Sequence, residues 1–244
     1  MLSNIAYEKC LSFINIQLRP ADAPKPSLPD LIRPVITISR MTGSGGRTIA
    51  LELADYLQTK VPTDCHWTVF DRNLIERVLE DHALPRRFAA HMPESRIPAW
   101  ADAFEEMLGL HPDSWSLVEK TAQTISRLAQ LGYVIIVGRG ANLITRELKS
   151  AFHVRLIGSL EQRARRVEHI FGFSPREALR FIQKEDSGRA RYLKQFFGKE
   201  IDDPLLYHVL INTDLTAYSE IARWIGDEVI SRFHMKAELP AKAA

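Results

Sequence analysis

The chain is predicted to fold as an α/β protein, with a parallel sheet of about five strands between two helical layers. Three observations predict it. Residues 34–58, PVITISRMTGSGGRTIALELADYLQ, read as a strand, a glycine-rich loop and a helix. The run Tyr133-Val134-Ile135-Ile136-Val137 is apolar on both faces, as a central parallel strand must be. Strand and helix patterns then alternate along the chain, the order that produces right-handed crossovers and a three-layer sheet.

The first strand rests on the β-branched run Val35, Ile36 and Ile38 and ends at Ser39. Gly43, Gly45 and Gly46 make the loop, and Ile49, Leu53 and Leu57 recur every four residues as the buried face of a helix. In such a setting backbone N–H groups can wrap an anion at the helix N-terminus. Gly43, Ser44, Gly45, Gly46 and Thr48 are therefore candidate phosphate-binding residues, and Thr48 is placed to offer a hydroxyl to a phosphate-bound Mg²⁺. The common phosphate loop reads GxxxxGK[ST]. Here Arg40 occupies the first glycine position and Gly46 the lysine position, with Arg47 next. The alternative reading is a glycine turn that only lets the helix pack on the strand. Arg47 is the nearest candidate to supply the missing charge. A one-residue step turns its Cβ by about 100°, so it could instead pair with a carboxylate on the sheet.

Trp67–Phe70 predicts a second strand, ending at Asp71, and Leu74, Ile75, Val78 and Leu79 a helix behind it. Residues 84–115 are irregular, with prolines, Trp100 and Trp115, a length typical of a functional insertion. Ser114 or Ser116 opens a helix with Leu117 or Val118, then Thr121, Ile125 and Leu128, on one stripe, and Gly132 ends it. The central strand 133–137 stops at Gly138-Arg139-Gly140. Ligands of open α/β sheets sit at strand carboxyl ends, so Arg139 is either a phosphate contact or a surface arginine in a glycine turn. Phe152–Ile157 is a fourth strand. Ser159 with Gln162, and Ser174 with Glu177 behind Pro175, are capping boxes for two helices. The second runs through KEDSGRARYLKQFFG, and Gly188 is expected to interrupt it beside a concentration of positive charge. Leu205–Ile211 is the fifth strand, and Ile221, Ile225 and Val229 mark the last helix.

Residues 1–33 read as an appended helix and an extended linker, since five prolines fall between Pro20 and Pro34. This arm is expected to cap the core, or alternatively to dock on a partner, and it is a candidate for self-association. Residues 34–235 form the main domain and 236–244 a frayed tail. The 244 residues suffice for one α/β domain with insertions. A net charge of +2 argues neither for nor against nucleic acid, and no nucleic-acid partner is expected. Two unpaired cysteines, no apolar run near 18 residues and no basic-then-apolar leader point to a cytoplasmic protein without a membrane span.

Taken together, ITISRMTGSGGRTIA, FDRNLIERV, VIIVGRGANLI, GSLEQRARRV, EDSGRARYLKQFFG and DPLLYHVLINTD resemble the cytidylate kinase-like family of P-loop kinases, over roughly residues 34–232. The resemblance implies a three-layer P-loop NTPase fold, with a helical acceptor-binding insertion at about 72–131 and a helical lid at about 172–200. It implies phosphoryl transfer from ATP, with Mg²⁺, to a nucleoside monophosphate or similar small phosphorylated acceptor. By position it assigns the donor phosphates to residues 43–48, the acceptor to Asp71, Arg77 and Arg139, and the adenine and lid hinge to Arg163. Arg189 and Arg191 stand for the lid arginines and, with Arg47, are the candidate catalytic cations. The chain departs from the family pattern at Gly46, where the lysine is absent, and at Gly140, where GRD has its aspartate. A non-catalytic nucleotide-binding regulatory protein is the alternative that the missing lysine keeps open.

Overall fold

The structure, a computed structural model, describes residues 32–61, 63, 66–72, 75 and 113–236. Residues 1–31, Arg77, most of the expected insertion and the end of the tail lie outside the described residues. Five strands, β1 (Val35–Arg40), β2 (Thr68–Phe70), β3 (Val134–Val137), β4 (Ala151–Ile157) and β5 (Val209–Asn212), form one sheet in the order β2-β3-β1-β4-β5. Every pairing is parallel, and β1 lies between β3 and β4. The helices are α1 (Gly46–Lys60), α2 (Asp113–Leu131), α3 (Ala141–Ile144), α4 (Leu160–Phe171), α5 (Pro175–Phe197) and α6 (Tyr218–Arg232).

Alternation along the strands divides the core in two. Val35, Val134 and Ile136 turn to one face and pack with Ile125 and Leu128 of α2. Ile36, Ile38, Ile135 and Val137 turn to the other and pack with Ile49, Leu53 and Leu57 of α1 and Ile221, Ile225 and Val229 of α6. Both faces are covered, which is why the strands read as continuous apolar runs. The C-terminal part of the span 72–131 is thus the crossover helix between β2 and β3, inside the core. No described helix is long and apolar enough to cross a membrane.

Three local expectations are corrected. The fifth strand starts at Val209, not at Leu205, because Pro204–Leu206 is a 3₁₀ turn in which Asp203 accepts from the Leu205 N–H. Gly188 does not interrupt a helix; α5 runs unbroken for 23 residues. Its start carries the full box, with Ser174 Oγ accepting from Glu177 N–H and the Glu177 carboxylate accepting from Ser174 N–H. At α4 the cap is one-sided: Ser159 accepts from Gln162 N–H, but the Ser159 N–H goes to Asp214 Oδ2 at 2.6 Å.

Candidate active site

The glycine loop joins β1 to α1 at the carboxyl edge of the sheet. The connections leaving β1 and β4 run to opposite edges, and ligands of open sheets bind where the chain diverges in this way. The backbone is left-handed at Gly43 (φ 81°) and Gly45 (φ 77°). At Gly45 a Cβ would also stand 2.2 Å from the Tyr218 ring. Gly45 caps α1 without a side-chain hydrogen bond, so the helix presents its first N–H groups, and the positive end of its dipole, to the loop. Thr48 stands exposed in that first turn.

The loop is braced from below. Arg163, 7% exposed, donates to Gly158 O at 3.0 Å, to Thr42 O at 3.1 Å and to Asp186 Oδ2 at 2.7 Å. Arg166 donates to Gly43 O and to Thr213, and pairs with Asp214 at 3.1 Å. Asp186 of α5 accepts from both the N–H and the hydroxyl of Thr42, each at 2.8 Å, and from Arg189 at 2.5 Å. Arg189 also donates to the Thr42 hydroxyl and lies 3.4 Å from Glu185. Burial alone would raise the Asp186 carboxyl. The hydrogen bonds from Thr42, Arg189 and Arg163 outweigh it and hold the group below the usual carboxylate range. Arg163 thus spends its donors on the loop carbonyl and Asp186, as a brace beneath the loop.

Beside the loop, over the carboxyl ends of β1 and β3, lies a cavity of about 320 Å³ roofed by α5. Arg40, Arg72, Arg139, Lys184, Arg189 and Arg191 line it, and Glu185 is the sole acid among its described lining residues. Gly138 (φ 87°), Arg139 (φ 57°) and Gly140 (φ 68°) are left-handed in succession. For arginine that costs about 1–2 kcal/mol, the kind of strain that clusters at functional sites. A Cβ at Gly140 would meet the Phe197 ring at 2.9 Å, so the aspartate expected in GRD would have to displace that ring. Asn142 also lines the cavity, 4% exposed, with its amide nitrogen lacking a hydrogen-bond partner.

Of the residues named from sequence, the structure gathers Arg139, Arg189 and Arg191 around this cavity. Arg47 is absent from its lining; it pairs with Asp71 at 3.3 Å, with its side chain 65% exposed. This is the outcome that the 100° rotation allowed. Sequence reasoning passed over three of the lining cations, Arg72, Lys184 and Arg40, and of these Arg40 is the least exposed. Its side chain leaves the end of β1, passes the position of a Cβ on Gly46 at 2.9 Å, and ends against Gly138. Burial, then the charges of Arg189 and Arg139, lower its pKa to about 10. The available signal was the coincidence of an arginine at the first glycine position with a glycine at the lysine position.

The model of the cytidylate kinase-like family matches residues 35–215. A cytidylate kinase from Pyrobaculum neutrophilum is 28% identical over 203 residues, covering 83% of this chain and 96% of that protein. One from Pyrobaculum aerophilum is 29% identical over 190 residues, covering 78% and 89%. The crystal structure of an uncharacterized protein from Eubacterium ventriosum superimposes with a TM-score of 0.60 at 20% identity, over 80% of this chain and 99% of that one. That likeness concerns the fold.

Proposed function

The chain belongs to the cytidylate kinase-like family, and on that premise we propose that it transfers the γ-phosphoryl group of Mg-ATP to a nucleoside monophosphate or a similar small phosphorylated acceptor. The observation that carries this reading is the cavity itself. Six cationic side chains converge there beside a glycine loop and a helix N-terminus without a side-chain cap.

Phosphoryl transfer needs alignment and charge neutralisation more than covalent help. An acceptor phosphate oxygen attacks the γ-phosphorus in line. The bond to the β–γ bridging oxygen breaks, ADP leaves, and the acceptor gains a phosphoanhydride. A phosphate dianion brings no proton that a base must remove. Backbone N–H groups of residues 43–48 hold the donor phosphates. A magnesium ion brought with the nucleotide would neutralise phosphate charge, and the exposed Thr48 hydroxyl, a hard oxygen donor, would help to hold it. Arg139, with Asp71 and Arg77, fixes the acceptor. Arg189 and Arg191 close over the transferring group, where guanidinium forks match phosphate oxygens. Residues 172–200 act as the cover that excludes water. The reading goes with a cytoplasmic enzyme and with residues 1–33 as a self-association arm.

A non-catalytic nucleotide binder is the second reading. Gly46 at the lysine position and the Asp186 carboxylate on the Thr42 N–H favour it. The test is a screen of nucleoside monophosphates with Mg-ATP, following ADP release above the rate without acceptor. At least one acceptor is expected to raise that rate. Binding of ATP with no acceptor-dependent release would favour the second reading.

A further inference from the structure

The phosphate loop of this chain lacks its lysine, and the structure contains a replacement that comes from the opposite end of the loop. We propose that Arg40 is the phosphate-binding cation of this site, its side chain occupying the path that a lysine at position 46 would take and its guanidinium reaching the transferring phosphates. The inference rests on the kinase reading for the identity of the ligand and on geometry for the identity of the residue.

The geometry begins with two glycines. A Cβ on Gly46 would lie 2.9 Å from Arg40 Cγ and 3.1 Å from Arg40 Cβ. The first distance is shorter than real Cβ contacts and the second is tight, so the arginine stem fills the space where a side chain at 46 would begin. A Cβ on Gly138 would lie 2.1 Å from Arg40 Nη1 and 3.0 Å from Cζ. The guanidinium therefore rests on the backbone at the carboxyl end of β3. Gly46 and Gly138 together form a groove that only the absence of two side chains opens. Arginine at 40, glycine at 46 and glycine at 138 are one unit: a lysine at 46 and an arginine at 40 cannot both be present without one moving.

The charge around the guanidinium points the same way. Arg139 and Arg189 lie close enough to lower the Arg40 pKa, and both line the same cavity. Asp71 and Glu185 offset part of the repulsion among the three arginines, and Asp186 pairs with Arg189; a polyphosphate is an anion whose oxygens match guanidinium forks across the whole cluster. The site also has the right origin. Arg40 is the last residue of β1 and Gly46 the first of α1, so the cation leaves one end of the loop and passes the other. It accompanies the N–H groups of the helix start, as the lysine of GxxxxGK[ST] does. Arg47 has no such path; it is drawn to Asp71.

The test uses the full chain and inorganic tripolyphosphate, followed by titration calorimetry, with a thermal melt to check each variant's fold. Arg40→Met keeps the length of the stem and removes the charge. It is expected to weaken tripolyphosphate binding about ten- to a hundredfold, the loss of one charge-assisted contact. The decisive variant is the exchange Arg40→Gly with Gly46→Lys, which moves the cation to the usual position. The exchange should recover affinity to within about tenfold of wild type, while Arg40→Gly alone should not. Arg40→Met binding as tightly as wild type would overturn the proposal and leave the kinase reading intact. If Arg40→Met fails to fold, Arg40→Lys and the exchange decide: failure of both to bind, in folded protein, refutes a charge-based role. Tripolyphosphate binding that depends on Arg40 in a protein with no acceptor-dependent turnover would retain Arg40 and reject the kinase. Wild type that binds no tripolyphosphate would reject both.

Discussion

At the scale of the residue, Asp186 has the most demanding position. It joins α5 to the glycine loop through Thr42 and neutralises Arg163 and Arg189. Asp186→Asn keeps the shape and removes the charge, leaving a buried guanidinium without its partner. The expected loss is about 1–3 kcal/mol at pH 7, read from urea unfolding. The pH dependence follows from the sign of its shift. The folded pKa is depressed, so the contribution is complete above the unfolded carboxylate's value and disappears as pH falls through the lower folded one. The difference between wild type and Asp186→Asn should therefore shrink as pH falls below about 4, the ordinary carboxylate value; a constant difference would mean that the charge is not what stabilises. Gly45→Ala is a second test. The new Cβ would meet the Tyr218 ring at 2.2 Å and the backbone is left-handed. Adding Tyr218→Ala should relieve the contact but retain the backbone cost of about 1–2 kcal/mol.

At the scale of the element, α5 differs most from its reading in sequence. A glycine amid KEDSGRARY looked like a break because glycine is a poor helix former. The unbroken helix is maintained by its ends and by its packing. Ser174 and Glu177 secure the start, Ala178 and Ile182 pack on Ala164 and Val167 of α4, and Leu193 packs on Leu143 of α3. A Cβ at Gly188 would have nothing within 4 Å. Gly188→Ala is expected to stabilise the protein by about 0.5–1 kcal/mol, seen as a higher melting temperature. A fall in melting temperature would show that Gly188 does not tolerate the helical conformation once a side chain is added.

At the scale of the whole molecule, buried His153, with exposed His208 beside it, ties neighbouring strands of the sheet together and is expected to contribute to its acid limit. His153 Nδ1 and Thr37 Oγ1 lie 2.8 Å apart, linking β4 to β1, and the His153 N–H donates to His208 Nδ1 beside β5 at 2.9 Å. Burial, then the charges of His208 and Arg232, lower the His153 pKa to about 4. The neutral ring is the folded form. Its contribution is complete above about pH 6.5, the unfolded value, and is lost progressively as pH falls to about 4. The protein should thus lose up to about 3 kcal/mol over that interval from this one group. His153→Gln, which cannot gain a proton, should flatten the stability profile between those pH values; an unchanged profile would assign the acid limit elsewhere.

The sequence by itself determined the layered fold, because burial on both faces writes a strand as an unbroken β-branched run and a helix as a four-residue recurrence. Val35–Ile38, Ile49–Leu53–Leu57 and Val134–Val137 needed no tertiary information. The glycine loop and the cavity arginines Arg139, Arg189 and Arg191 were also legible, because a motif fixes spacing and spacing fixes the strand end at which a residue emerges. Side-chain direction was beyond its reach. Arg47 turned to Asp71, Arg163 turned under the loop to Asp186, and Arg40 extended through the groove left by Gly46 and Gly138. Which of several neighbouring arginines faces the cavity depends on where carboxylates and empty space lie across the fold. Asp186 stands 144 residues from Thr42 along the chain, and a contact between residues so far apart exists only once the sheet has brought them together.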